Sequence, residues 1–351
     1  MKRIVYITGA GFSAPLGLPL ISNFFEKAKD LHSQDPKNSG YIELDRMVRK
    51  FSILKNYFNV NLHNIEELLS ISDMKDLIVH NNSREKIVDI IEEVIGETTP
   101  TIEIDDSKLQ SMFLNKDNLD CFSSFNRYGQ YLSFVSHIHG VNIQYEEDKR
   151  VRWHKIEPST KIHYDIITLN YDMVLENICD FMNTNPHVKR DGEKILFKRK
   201  RSDGIDANSS YLIKLHGSID DKETIVPPTW RKGDHDEKIR EQWEVATELL
   251  ANANHIIFLG YSLPENDNHI RYLLQSSITD TKITSIRTVN DDKKAVERYR
   301  ELFSSIVTEE PNCQSYLQRF QQVRGERYSH SDYPDNRSFI YNGSGTFHII
   351  F

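Results

Sequence analysis

Cysteine is scarce in this sequence: its 351 residues contain only Cys121, Cys179 and Cys313. Three scattered cysteines are too few for a disulfide framework or a four-cysteine zinc site, and no CxxC pair occurs among them. We therefore expect a protein of a reducing compartment that carries no structural zinc.

Long apolar runs are also missing. The first run, from Ile4 to Ile7, soon meets Gly9 and Gly11, which leaves it too short for a signal peptide. No other run approaches the roughly 18 apolar residues that a membrane-spanning helix needs. We expect a cytoplasmic protein without a membrane partner.

The sequence also has no excess of positive charge. Its 52 acidic residues outnumber its 44 lysines and arginines, and the net charge is -8. This balance argues against a broad nucleic-acid-binding face. The basic run at 197–201 is either a solvated loop or a local phosphate contact. We expect the loop, and no direct binding of nucleic acid.

Five short apolar or alternating runs have the length of strands, at residues 3–8, 164–168, 211–215, 255–259 and 284–289. A polar residue or a glycine follows each run, in order Gly9, Asn170, His216, Gly260 and Asn290. Helical spacing of apolar residues occurs between them, for example at 172–182 and 237–253. This alternation predicts an α/β fold, a Rossmann-like doubly wound and mostly parallel sheet with its ligand at the carboxyl ends of the strands.

Strand patterns fade between residues 33 and 157, where amphipathic helical stretches such as 64–70 and 84–95 take over, with a brief hairpin pattern near 99–104. We therefore divide the chain into a core (1–32 and 158–310), a mainly helical insertion (33–157) and a C-terminal extension (311–351). The extension ends in the mostly apolar residues 347–351, which suggests contact with its own domain, another subunit or a partner.

The most specific local motif is Gly9-Ala10-Gly11-Phe12-Ser13-Ala14, which follows a strand and precedes a helical pattern. Glycines in this context let the backbone approach a pyrophosphate, although a tight turn without ligand would also need them. The acidic residue that usually follows at the end of a second strand is missing, because Asp30 and Asp35 fall in helix and turn sequence. An ordinary NAD dehydrogenase is therefore not expected.

Three polar residues after the strands are candidates for chemistry. The Asn170 amide can hold a ribose hydroxyl or a water, or can cap the strand end. Asp172 either supports the site or serves as the N-cap of the following helix. His216 is suited to general-base work near neutral pH, or is a satisfied core histidine. His137 and His139 have no evident third ligand, so no metal site is expected.

Taken together, the motifs resemble those of the sirtuin family. Residues 9–19 resemble its GAGxSxxxGxP signature, 168–172 its TxNxD element, 214–218 its HGS element and 260–263 its GxS element, while Pro227-Pro228-Thr229-Trp230 is similar to a stretch in bacterial sirtuin-like proteins. The resemblance implies that NAD+ is bound. The residues implied to bind it are Gly9, Ala10, Gly11, Ser13, Thr168, Gly260, Ser262 and Asn290.

Sirtuin deacylases carry two zinc-binding CxxC pairs, and this sequence has none. In that respect it is similar to the bacterial sirtuin-like NADases of antiphage defence. The resemblance implies NAD+ as a substrate that is hydrolysed to nicotinamide and ADP-ribose, with no zinc. Asn170 would then position water and the ribose, His216 would accept a proton, and Asp172 would support charge or geometry.

Two other functions remain open: a protein deacylase or ADP-ribosyltransferase, and a module that senses NAD or ADP-ribose. An NADase must be held inactive until it is triggered, and we recognise no appended sensor domain, so we expect control by a homo-oligomer or a second protein. Relatives of this size resemble those encoded beside a HerA-type ATPase, which makes such an ATPase a candidate partner.

Overall fold

A computed structural model describes residues 2–79, 82–102, 114–115, 124–145, 151–155, 162–200, 204–206, 209–226, 237–265, 267–278, 283–303, 307–320, 322–323, 338–342 and 346–350. In chain order the strands are β1 (Lys2–Thr8), β2 (Leu114–Asn115), β3 (Val141–Tyr145), β4 (Val151–Lys155), β5 (Ile162–Thr168), β6 (Val188–Asp191), β7 (Leu212–Lys214), β8 (His255–Leu259), β9 (Ser285–Val289), β10 (Val307–Glu310), β11 (Gln322–Val323), β12 (Ser338–Asn342) and β13 (Thr346–Ile350).

The α-helices of the same ranges are α1 (Ala10–Ser13), α2 (Phe24–Gln34), α3 (Gly40–Phe51), α4 (Ile65–Val79), α5 (Ser83–Thr98), α6 (Ser124–Ile138), α7 (Val174–Thr184), α8 (Glu237–Ala251), α9 (Asn268–Ser277), α10 (Lys293–Phe303) and α11 (Cys313–Gln318). Within these ranges no helix combines the length and the apolar character needed to cross a membrane.

Six strands form the main sheet in the order β10-β9-β8-β1-β5-β7, and every neighbouring pair is parallel. The chain moves outward from β1 through β5 to β7, then returns to the other side of β1 for β8, β9 and β10. This is the doubly wound order, and its direction reverses between β1 and β8. The predicted Rossmann-like α/β sheet is confirmed.

Both faces of the sheet are buried, as parallel strands covered by helices require. In β1, Ile4 and Tyr6 face a core that they share with helices α2 to α7, whereas Val5 and Ile7 face a second core with α8, α9 and α10. The period of two within each strand therefore divides its side chains between two helical layers.

The five predicted strands are present, and α7 begins at Val174, two residues later than the pattern indicated. The sequence analysis missed β10, a short edge strand in which two of four side chains are exposed. It also missed the small sheet β3-β4-β6, whose strands lie partly in the segment described as mainly helical.

Helices of the segment 33–157 pack directly on the sheet. Tyr131 and Phe134 of α6 contact Phe12 and Tyr6 through aromatic rings whose centroids are 5.0 and 5.1 Å apart. At the other end of the chain, α11 buries Tyr316 and Leu317 in the same core. The hairpin expected near 99–104 lies partly outside the described residues, and Pro227 to Trp230 lie wholly outside them.

Candidate functional site

The loops that follow β1 and β8 meet at the point where the strand order reverses. Gly9 N–H donates to the Leu259 carbonyl at 3.1 Å, and Gly11 N–H donates to the Gly260 carbonyl at 2.9 Å. A Cβ added to Gly9 would lie 2.7 Å from the Tyr261 Cα, and one added to Gly11 would lie 2.8 Å from the Gly260 oxygen. Close packing of two backbones is therefore sufficient to require glycine here.

The same contacts use donors that the sequence analysis assigned to a pyrophosphate. Gly9 donates to the last residue of β8 and Gly11 to the loop after it, and the Phe12 N–H donates to the Gly9 carbonyl at 2.8 Å. The helix that follows, α1, is a single turn, and the longer α2 begins only at Phe24. A phosphate at this loop would therefore have to bind other groups of the loop, or these backbone hydrogen bonds would have to break first.

Asn170 ties the loop after β5 to the glycine loop. Its Nδ2 donates to the Gly9 carbonyl at 3.0 Å and to Ser13 Oγ at 3.1 Å, while its own N–H donates to Thr168 Oγ1 at 3.1 Å. Ser13 is buried and also hydrogen-bonds Asp172. An amide, a hydroxyl and a carboxylate thus form a continuous chain across the two loops.

Asp172 is buried and combines a structural role with an unusual electrostatic setting. Its Oδ1 accepts the Val174 N–H at 3.1 Å, so it satisfies the first residue of α7 although it stands one residue before the N-cap. Burial raises the pKa of this carboxyl. The Lys214 ammonium and the hydrogen bonds from Ser13 and the Val174 N–H oppose the rise, and Glu176 adds to it.

Lys214, the last residue of β7, was not singled out by the sequence analysis. Its buried ammonium donates to the Asp172 carbonyl and to Ser218 Oγ at 2.9 Å, and it pairs with Glu176 at 3.0 Å. It therefore joins the element after β5 to the element after β7. The sequence did contain a signal for this role, because Lys214 is the one charged residue of the otherwise apolar stretch 211–215. A lysine that is buried with its strand needs polar or charged partners.

His216 stands beside the Asn170 loop as a result of strand register. Thr168 pairs with Lys214 across β5 and β7, and Asn170 and His216 each come two residues later. The histidine is buried, its ring centroid lies 6.3 Å from that of Tyr171, and its carbonyl accepts the Val226 N–H at 3.0 Å. Gly217, at a φ of 89°, turns the chain directly after it.

A small cavity with room for about one water molecule lies beneath these loops. Its polar lining comes from seven residues: Thr8, Ser13, Thr168, Asn170, Asp172, Glu176 and Lys214. Thr8 Oγ1 is fully buried and has no hydrogen-bond partner among the described residues. Four of the residues that line this cavity, Ser13, Thr168, Asn170 and Asp172, are predicted site residues, whereas His216 is not part of its lining.

Ser262 and Asn290 lie on the other side of the switch point, after β8 and β9. Asn290 Nδ2 donates to the Tyr261 carbonyl at 3.0 Å, and the Ser262 carbonyl accepts from Arg298 at 2.7 and 2.9 Å. Leu263 next to them has a φ of 48°, which is unusual for a branched side chain. Ser262 and Asn290 therefore support the loop that follows β8. They follow different strands from Asn170 and His216.

In the described ranges no group of three or more histidine, cysteine or carboxylate side chains is arranged to hold a metal ion. His137 instead packs against the rings of Tyr164 and Phe320, at centroid distances of 4.7 and 4.9 Å. In the basic run, Arg199 pairs with Glu176 and Asp220, and Lys198 pairs with Asp206. These two basic side chains have protein partners.

A comparison with known protein families finds a match in the part of the chain that contains Asn170 and His216. Residues 165–306 match the family model of the SIR2-like domain. The SIR2-like match includes Asn170, Asp172, His216 and the β8 loop, while the glycine loop after β1 precedes it. A SIR2-like domain implies NAD-dependent enzyme activity in general terms.

One solved structure, described as "Structural Basis for the Mechanism and Regulation of Sir2 Enzymes", is similar to this chain at 14% sequence identity. The similarity covers 91% of this chain and 90% of that chain, with a TM-score of 0.34. No match was found among curated proteins.

Proposed function

We propose that this protein hydrolyses the bond between nicotinamide and ribose in NAD+, releasing nicotinamide and ADP-ribose. The observation that carries the proposal is the placement of Asn170 and His216 in matched positions after two neighbouring parallel strands. Both residues lie within the SIR2-like match, beside the switch point at which open α/β sheets bind ligands.

In the proposed reaction the oxygen of water forms a bond to the ribose C1′ while the bond from C1′ to nicotinamide breaks. The bonding electron pair leaves with the nicotinamide nitrogen, which becomes neutral. His216 accepts the proton that the water loses, and Asn170 orients the water and the ribose. Asp172 contributes a buried carboxyl that can balance the positive charge that develops on the ribose.

Binding of the rest of NAD+ is assigned to the loops around the switch point. Gly9, Ala10, Gly11 and Ser13 are proposed to lie along the pyrophosphate, with Thr168 and Gly260 at the floor and Ser262 and Asn290 near the adenosine ribose. Because Asn170 already bonds Gly9 and Ser13, its amide must exchange these partners for substrate. This exchange would couple substrate binding to the position of the glycine loop.

The absence of CxxC pairs from the sequence supports hydrolysis over deacylation, since the zinc module of sirtuin deacylases cannot be built. We further propose that the enzyme depletes NAD+ as an antiphage effector, that it works as a homo-oligomer, and that a HerA-type ATPase or another protein activates it. The helical insertion, residues 33–157, and the apolar tail, residues 347–351, are the proposed contact surfaces.

The test is to incubate the purified full chain with NAD+, alone and with an acylated peptide, and to separate the products by chromatography. We expect nicotinamide and free ADP-ribose without peptide. Turnover that requires peptide would instead indicate a deacylase or transferase, and binding without turnover would indicate a sensing module. The assay is repeated with the HerA-type ATPase, because an enzyme that needs activation is silent alone.

Two substitutions probe the mechanism. His216→Ala and Asn170→Ala should each lower NAD+ cleavage by about 100-fold or more, because each removes a group placed at the reacting atoms. His163→Ala, which removes a buried histidine at the opposite end of β5, is the matched control. Full cleavage by both site variants would show that the assigned mechanism is wrong.

A further inference from the structure

Helix α5 of the segment 33–157 holds the stretch of chain that follows His216. Arg84, near the first turn of α5, donates from Nη2 to the Ile225 carbonyl at 2.7 Å. Further along the helix, Asp89 and Glu92 pair with Lys222 at 3.1 and 2.5 Å. The insertion therefore contacts the stretch 218–226 at two places, one partly buried and one on the surface.

Arg84 is itself fixed from the neighbouring helix. Its Nε lies 3.4 Å from Oδ1 of Asp73 on α4, whose side chain is only 3% exposed, and its N–H donates to Asp76 at 2.7 Å. A buried carboxylate without its cation is costly, so Asp73 favours a guanidinium position beside α4, although no hydrogen bond joins Nε to the carboxylate. The direction of Arg84 toward Ile225 is thereby set by two helices.

From Ile225 the connection continues to the proposed base. The next residue, Val226, donates its N–H to the His216 carbonyl at 3.0 Å and accepts the Tyr171 hydroxyl at 3.3 Å. Ile225 and Val226 are both fully buried. One hydrogen bond from Arg84 thus restrains a two-residue segment that bonds the backbone of His216 and contacts the loop that contains Asn170.

We propose that Arg84 is a positioning residue, which fixes His216 by holding the Ile225 carbonyl and, through Val226, the histidine backbone. It touches no substrate in this assignment. A movement of α4 and α5 would then reach the site through the bond from Arg84 to Ile225, which gives the insertion a direct means of changing activity. The turnover part of this inference rests on the proposed NAD+ hydrolysis, whereas the positional part does not.

Arg84→Ala tests the proposal, with Lys222→Ala as the control that removes only the exposed ion pairs between the same two segments. In Arg84→Ala we expect amide exchange at Val226 to rise about 10-fold or more and the imidazole NMR signals of His216 to shift. The signals of His163 and His255, at the other end of the sheet, should stay in place. Neither effect is expected in Lys222→Ala, because exposed pairs contribute little.

Turnover supplies the third measurement. Arg84→Ala should lower kcat for NAD+ cleavage by about 10- to 100-fold while KM changes by less than about 3-fold, since misplacement of a base affects the chemical step more than binding. Arg84→Lys, which keeps a cation beside Asp73 and one donor for Ile225, should recover most of kcat. A purely structural role would lower the melting temperature without this separation of kcat from KM.

If Arg84→Ala does not fold, the pair Asp73→Asn with Arg84→Gln removes the connection without leaving a buried charge, and the same readouts apply. The proposal is overturned if a folded variant keeps the Val226 protection and the His216 signals of the wild type. If the wild type does not cleave NAD+, the proposed function fails, but the exchange and NMR measurements still decide the role of Arg84.

Discussion

Gly260 is a residue at which one added methyl group should have a large effect. Its φ is 61°, and a Cβ would overlap backbone atoms of Gly11 and Phe12, which cannot move aside as a flexible side chain would. Gly260→Ala should therefore lower the free energy of unfolding by about 1–3 kcal/mol because of the left-handed backbone, and by roughly as much again because of the overlap.

Gly17→Ala is the matched control, because Gly17 has a φ of 103° but no atom within 4 Å of its added Cβ. Only the backbone cost of about 1–3 kcal/mol is expected there. Urea unfolding of both variants measures the difference. Equal losses would show that the β1 and β8 loops do not pack as closely as described.

Lys214 provides a second prediction for a single residue. Lys214→Met keeps the volume but removes the donors to the Asp172 carbonyl and Ser218, so we expect a loss of about 1–3 kcal/mol in the free energy of unfolding. Arg199 still neutralises Glu176, which limits the loss. Lys238→Met, which removes an exposed pair with Asp221, should stay within about 0.5 kcal/mol. Similar values for the two variants would contradict the role given to Lys214.

Among the strands, β8 begins with a histidine whose titration affects stability. Burial, aided by Lys2 and Arg287, lowers the pKa of His255 from 6.5 to about 4. The unfolded chain therefore binds a proton that the folded chain refuses between pH 6.5 and 4, and the stability that His255 contributes is lost as the pH falls through this window. His255→Gln should remove that part of the pH dependence.

The measurement compares urea midpoints of wild type and His255→Gln at pH 7.5 and pH 5, with exposed His63→Gln as control. Wild type should lose stability relative to His255→Gln at pH 5, but not relative to the control. A parallel response of all three proteins would contradict the assignment.

Asp165 acts in the opposite sense. Burial raises its pKa to about 6 despite Arg3, so its contribution to stability declines as the pH rises from 3.8 to 6.

At the level of the whole molecule, the sheet and the helices of the segment 33–157 share one core. Phe134 of α6 is fully buried and lies 5.1 Å from Tyr6, 5.8 Å from Phe12 and 5.4 Å from Phe320, measured between ring centroids. We therefore expect one cooperative unfolding transition and not separate transitions for core and insertion.

Phe134→Ala should lower the free energy of unfolding by about 3–5 kcal/mol, as for other buried phenylalanines. Phe58→Ala, at a side chain that is 63% exposed, should change it little. The readout is urea unfolding followed by both circular dichroism and tryptophan fluorescence. Transitions that separate in Phe134→Ala would show that the insertion folds as an independent unit.

The sequence by itself determined five strands of the main sheet and the polar residues that follow them. A strand buried on both faces is recognisable locally, as a short apolar run of strand length. It also placed Asn170 and His216 just after the ends of two strands, which the structure shows to be adjacent and parallel. It could not show β10 or the β3-β4-β6 sheet, since short and partly polar strands are defined by their partners.

Only the tertiary structure decided what the motif residues contact. The glycines after β1 pack against Gly260, about 250 positions later in the chain, and Asn170 bonds Gly9 and Ser13 across more than 150 positions. Lys214 and Arg84 acquire their roles in the same way. Contacts between distant segments depend on how elements pack, and no local periodicity records that arrangement.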